Sequence, residues 1–206
     1  MKKFKIILAA FAFICMSQSV SAQKNTFSLD FNYNYSMPLG SFKSDIISNN
    51  SPRGFMGGLM YSFSDKLSAG LGFGFQDYYQ KYPRALYQLG KSQEVSAVLT
   101  NSLQTIPILL QAKYYPLSAT YLKPYISLGA GANVIDFNQY LGQFGSSTTH
   151  VGFRAQGDLG LMIPFKRYSS SGINVGAIYD YSPYNKNGYH DLSNVNFQAG
   201  VTINLK

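Results

Sequence analysis

Leu67-Ser68-Ala69-Gly70-Leu71-Gly72-Phe73-Gly74-Phe75-Gln76 places an apolar side chain at every odd position and a small or polar one at every even position. A period of two is the pleat of a β-strand, whose successive side chains point to opposite faces. The faces differ in bulk as well as polarity. One carries Leu and Phe, and the other carries Gly70, Gly72 and Gly74, which add nothing beyond the backbone. Glycine there suits a strand whose inner face meets a narrow space. These glycines do not make a phosphate cradle, which needs them between a strand and a helix.

The same alternation recurs on both sides of this stretch. Upstream, Phe27, Leu29, Phe31, Tyr33 and Tyr35 oppose Ser28, Asp30, Asn32, Asn34 and Ser36, and Phe55, Gly57, Leu59, Tyr61 and Phe63 follow. Downstream, Ile106, Ile108, Leu110, Ala112 and Tyr114 oppose Thr105, Pro107, Leu109, Gln111 and Lys113. The pattern continues over residues 122–134, 151–163, 173–182 and 195–205, which predicts eight strands of about ten residues in all. Residues 64–66 and 116–120 are short connections and residues 164–171 a modest one. Residues 37–54, 77–102, 135–150 and 183–193 are longer. Short and long connections alternate, so one end carries turns and the other carries loops. That is the plan of an eight-stranded antiparallel up-and-down transmembrane β-barrel, with periplasmic turns, outer loops and both termini periplasmic.

The first residues agree with export. Met1-Lys2-Lys3-Phe4-Lys5 is basic, residues 6–15 are apolar, and Val20-Ser21-Ala22 is a small-residue cleavage site. This is the pattern of a secretory signal peptide, residues 1–22, leaving residues 23–206 as one barrel domain. The apolar run is about half the roughly 20 residues a spanning helix needs. Cys15 is the one cysteine and follows Ile14, where a lipoprotein signal wants a small residue, so the exported chain has no disulfide framework. Charged residues are 13%, about half the usual share of a soluble domain, as suits a wall that faces lipid. The net charge falls from +8 to +5 without Lys2, Lys3 and Lys5. It is spread along the chain rather than clustered, so no nucleic-acid partner is expected.

Alternation alone leaves open which face points inward, since a lipocalin is also a secreted eight-stranded barrel, with its apolar face inside. Size decides. Eight strands enclose a space that side chains just fill. The Phe, Tyr, Leu and Ile face is too bulky for it, whereas the Gly, Ser, Asn, Gln, Asp and Arg face fits. Tyr35, Phe55, Tyr61, Phe63, Tyr114, Tyr115, Tyr121, Tyr179 and Tyr181 fall near strand ends, where amphipathic rings suit the lipid–water boundary. Pro107 removes a ladder donor from a strand with no free edge, so a bulge or a water-satisfied carbonyl is expected beside it.

Ser102-Leu103-Gln104-Thr105-Ile106-Pro107-Ile108-Leu109-Leu110-Gln111-Ala112-Lys113-Tyr114-Tyr115 resembles a strand of the small outer-membrane barrels of the PorT-like type. Lys123-Pro124-Tyr125-Ile126-Ser127-Leu128-Gly129-Ala130-Gly131 resembles the strand that follows it there. The resemblance implies a membrane barrel and brings in an accessory role in protein secretion. The chain ends in Leu205-Lys206 rather than on the aromatic residue that many such barrels show their assembly machinery.

Chemistry-bearing motifs are sparse. His150 and His190 fall in predicted loops, with Ser147 and Asp191 near them in sequence, and they read as solvated loop residues rather than parts of a catalytic site. No catalytic residue, metal site or cofactor is expected. Asp30, Lys113, Arg154, Asp158 and Asp180 are the charged residues on the inward face. Buried charge must be paired, so these five are expected to form an interior network, with Arg154 and Asp158 near mid-barrel on one strand face. The reading is a non-enzymatic outer-membrane barrel with a filled polar lumen and an envelope-structural or surface-interaction role. The alternatives are a narrow channel or a transporter of small apolar molecules. Expected partners are outer-membrane lipid, the barrel assembly machinery and an extracellular or envelope protein.

Overall fold

A computed structural model of the chain describes residues 26–88, 94–117, 121–166, 169–186 and 189–205. The expected signal peptide lies outside the described residues. Eight strands close into one antiparallel barrel. They are β1 (Thr26–Pro38), β2 (Ser51–Ser62), β3 (Leu67–Lys81), β4 (Leu99–Tyr114), β5 (Lys123–Leu141), β6 (Phe144–Pro164), β7 (Gly172–Tyr181) and β8 (Asn194–Leu205). Each strand pairs with its sequence neighbours, and β1 pairs with β8 to complete the ring.

Closing a sheet requires a stagger. Ser28 pairs with Asn204 directly across β1 and β8. Followed the other way round, through Met60, Gly70, Gln111, Gly129, Gln156 and Asp180, the register arrives at Asn194, ten residues away on the same strand. The strands are therefore tilted, and residues near in the lumen are far apart in sequence.

The faces fall as their bulk requires. Phe27, Leu29, Phe31, Tyr33 and Tyr35 of β1 are exposed, while Ser28, Asp30, Asn32, Asn34 and Ser36 are buried. The other strands divide in the same way where they enclose the lumen, whereas no side chain of residues 144–153 of β6 is buried. Lipid can accept the outer face because the backbone of the wall is paired between strands along nearly its whole length.

Strand lengths depart from the sequence reading. The strands run from 10 to 21 residues, and the longest are neighbours, with 15, 16, 19 and 21 residues in β3, β4, β5 and β6. Residues 135–150, expected as a loop, are mostly paired strand. β5 and β6 continue to Leu141 and Phe144 and join through Gly142-Gln143 alone. Gly142 has φ +62°, the left-handed conformation that a two-residue hairpin turn demands. His150 therefore sits on β6 opposite Ile135, not in a loop. Likewise, residues 77–81 and 99–102 belong to β3 and β4, and the connection between them holds a small hairpin, Ala85–Gln88 with Glu94–Ala97. His190 falls in a three-residue strand, Tyr189–Asp191, paired with Pro183–Lys186.

Of the two arrangements expected beside Pro107, the bulge does not form. The β3–β4 ladder lapses between Phe73 and Gln76 and resumes without a register shift. Gly74 lies beside the ring, and a side chain there would meet Pro107 Cγ at 3.3 Å. The glycine makes room for the proline in a flat ladder. Among the described residues, the one register shift in the wall lies between Asn34 and Ser36, where β1 slips against β2.

Candidate functional site: the filled lumen and the outer mouth

Inward-facing charges gather in two clusters. Near the turn end, Lys113 on β4 reaches Asp30 on β1, Nζ to Oδ2 2.5 Å, and both are buried. Asp30 Oδ1 accepts a hydrogen bond from Thr202 Oγ1 at 2.5 Å, and Thr202 accepts one from Asn174 Nδ2 at 2.6 Å. Lys113 Nζ also lies 4.8 Å from the centre of the Tyr125 ring. Gln198 Nε2 donates to Tyr125 Oη at 2.9 Å and to Asp158 Oδ2 at 2.8 Å, tying a second carboxylate into the same group. Tyr115 packs on Tyr125, ring centres 5.9 Å apart, and helps close the floor. It thus turns into the barrel instead of joining the aromatic belt expected of it. One residue beyond the end of β4, it keeps the odd, inward parity of Lys113.

Higher up, Arg154 on β6 grips Asp180 on β7 with both ends of its guanidinium. Nη2 lies 2.5 Å from Oδ2, and Nε donates to Oδ1 at 3.2 Å. Asn196 Nδ2 adds a further donor to Oδ2. Asp180 is wholly buried, so its charge rests on these three donors. Arg154 and Asp158 share a face of β6 yet belong to different clusters. The stagger sets them against different partner strands.

Between the clusters the lumen is less polar than the sequence pattern suggested. Met56, Met60, Leu109, Met162 and Ile178 are buried among the polar groups. Gln111 and Gln156 both point their amides at Met56 Sδ, at 3.9 and 3.8 Å. Gly58, Gly72 and Gly129 give these longer side chains their room, and a Cβ on Gly72 would fall 2.4 Å from Gln111 Nε2.

The outer mouth is sealed by an apolar cluster that sequence reasoning missed. Phe42, Ile46 and Ile47, from a five-residue π-helical turn and the residue after it, are buried against Tyr78, Leu103, Ile135, Phe137, Tyr184 and Leu192. Tyr78 stands edge-on to Phe42, ring centres 4.9 Å apart, and its hydroxyl lies 2.6 Å from Ser36 Oγ. Asn101 Nδ2 donates to Ile46 O at 3.0 Å, and Ser41 Oγ donates to Asp191 Oδ1 at 3.1 Å. The signal lay in residues 37–54 all along: positions 42, 46 and 47 share one face of a helical turn. Phe42→Ala is expected to cost about 3–5 kcal/mol at this plug. Limited proteolysis should cut within residues 39–50 faster than in the parent, while the barrel itself stays folded on an unboiled gel.

The rim marks where lipid ends. On the outward face, Ile106, Val134 and Val151 stand in register on β4, β5 and β6. One step further out, Gln104, Asp136 and Thr149 are also in register, and Thr149 Oγ1 donates to Asp136 Oδ1 at 3.2 Å. Apolar gives way to polar along a single row across three strands. Beyond it β3–β6 continue as a tall sheet whose outward positions are mostly polar. Among the described residues, β6 pairs with β7 only from Ala155 onward, so one edge of residues 144–154 carries no ladder. On that segment Ser147 and His150 have opposite parity and point to opposite faces. The His150 ring stands edge-on to Tyr184 at 5.9 Å, and Asp191 is engaged by Ser41. The three do not assemble into a catalytic arrangement.

The family described as "Outer membrane protein beta-barrel domain" matches residues 6–204. Among solved structures, the chain is similar to Neisserial surface protein A (NspA), with 16% identity, 89% of this chain and 99% of that one covered, and TM-score 0.52. It is also similar to the outer membrane protein OprG from Pseudomonas aeruginosa, with 13% identity, 90% and 98% coverage, and TM-score 0.50. At these identities the likeness speaks for the fold alone. No protein of curated function matches the chain.

Proposed function

Because the chain belongs to the outer membrane protein β-barrel domain family, we propose that it is a closed, non-enzymatic scaffold in the outer membrane that presents its tall sheet to partners outside the cell. The observation that carries this reading is the contrast between the two ends of β3–β6. Below the rim their inward side chains help fill the lumen. Above it the same strands project from lipid, and beyond Phe153, whose carbonyl accepts a hydrogen bond from Ser182 Oγ at 2.8 Å, one edge of β6 carries no ladder; such an edge is a template for an incoming strand. A filled lumen and a plugged mouth argue against steady conduction.

Planar-bilayer recordings test the reading. The purified barrel should give no steady open level. A stable, salt-conducting pore in most insertions would overturn the closed scaffold and favour a channel.

A further inference from the structure

We propose that the turn end of the barrel is a docking surface for anionic phospholipid headgroups of the periplasmic leaflet. Residues 23–206 carry a surplus of five positive charges, and their distribution is uneven. The lumen contributes none of the surplus, since Lys113 and Arg154 face Asp30, Asp158 and Asp180. Among the described residues, the segments at the loop end balance, with five basic residues against five acidic ones. At the turn end, Lys66, Lys123 and Lys166 stand with Asp65 as the one acidic residue among those described.

The surroundings of the three described lysines point to lipid rather than a soluble acidic partner. Lys66 lies between exposed Phe63 and Leu67, Lys123 follows exposed Tyr121 and Leu122, and Lys166 follows exposed Phe165. These apolar side chains are the lower margin of the lipid-facing belt. A lysine beside them keeps its stem on hydrocarbon and its ammonium at headgroup level. Lys123 Nζ donates to Ser169 O at 2.9 Å and has two further protons to offer. The three turns stand around the barrel's circumference. A leaflet that encircles the barrel can meet all of them, whereas a globular partner meets one side. Each basic side chain close to an anionic surface favours it by about fivefold at low ionic strength.

The test uses the folded protein in phosphatidylcholine vesicles doped with brominated phosphatidylglycerol or brominated phosphatidylcholine. Quenching of tyrosine emission reports which lipid sits against the wall, and the chain has 17 Tyr and no Trp. The parent should prefer phosphatidylglycerol several-fold in low salt, and the preference should shrink as salt rises. Lys66→Gln/Lys123→Gln/Lys166→Gln should abolish it. The matching arginine triple, and Lys43→Gln/Lys81→Gln/Arg84→Gln at the loop end, should keep it. Should the glutamine triple not fold, Lys166→Gln alone, at an exposed position, should show a partial loss. No preference in the parent, an unchanged preference in the turn-end glutamine variants, or its loss in the loop-end variant would each overturn the proposal.

Discussion

Arg154→Leu should lower the unfolding free energy of the barrel by about 3–5 kcal/mol, the cost of leaving one buried charge without its partner. The size of the effect comes from Asp180. Its carboxylate is completely enclosed, and two of its three hydrogen-bond donors belong to Arg154. Asn196 alone cannot hold the charge out of water. Urea unfolding in detergent micelles, followed by the heat-dependent gel shift, measures the loss. The double variant Arg154→Met/Asp180→Leu removes both charges together and should recover most of it, because paired buried charges contribute little net stability over an apolar fill. An Arg154→Leu barrel as stable as the parent would sink the idea that the lumen is held by its ion pairs.

Gly131→Val should be as damaging for a steric reason. Gly131 faces the lumen on β5 opposite Leu109 and Arg154. A Cβ there would lie 2.2 Å from Ile108 O and 2.9 Å from Leu109 Cα. Both are backbone atoms, so no rotamer change relieves the clash, and the β4–β5 ladder must move. Overpacking typically costs 1–3 kcal/mol, and a rigid neighbour puts this site at roughly 3 kcal/mol or more. The folded band on an unboiled gel should be largely lost. Ala132→Val is the control. It lies one residue away on the exposed, lipid-facing side, and should fold like the parent.

These two sites mark what could and could not be read from the sequence. Strand count, face assignment and barrel closure were legible because lipid forces a contrast. Phe73 cannot share a face with Gly72 when one face meets hydrocarbon and the other a narrow lumen. Beyond the rim the contrast turns over, with Ile135 and Phe137 facing the buried plug and Asp136 and Asn138 facing out, and then fades, so residues 135–150 read as a loop although they pair residue by residue. That Asp30, Lys113, Arg154, Asp158 and Asp180 needed partners was also legible. Which partner each takes was not, since pairing depends on the stagger of ten residues that only closure sets. The plug at the mouth was hidden differently. Phe42, Ile46 and Ile47 sit among Lys43, Ser44 and Asp45, and a single buried turn is too short to stand out from a polar segment.

The unpaired edge of β6 also carries a direction. Every copy of the barrel enters its membrane the same way round, so residues 144–154 run from the outside towards the bilayer in all of them. Two such edges in one membrane share that polarity, and an antiparallel ladder requires opposite polarity. Rotation about the membrane normal cannot supply it. An antiparallel strand laid on this edge must arrive with the opposite sense, from a free chain, from a surface facing the cell or from an ascending strand. The edge is thereby barred by symmetry from pairing antiparallel with the same edge of a neighbouring barrel, without any side chain having to repel it.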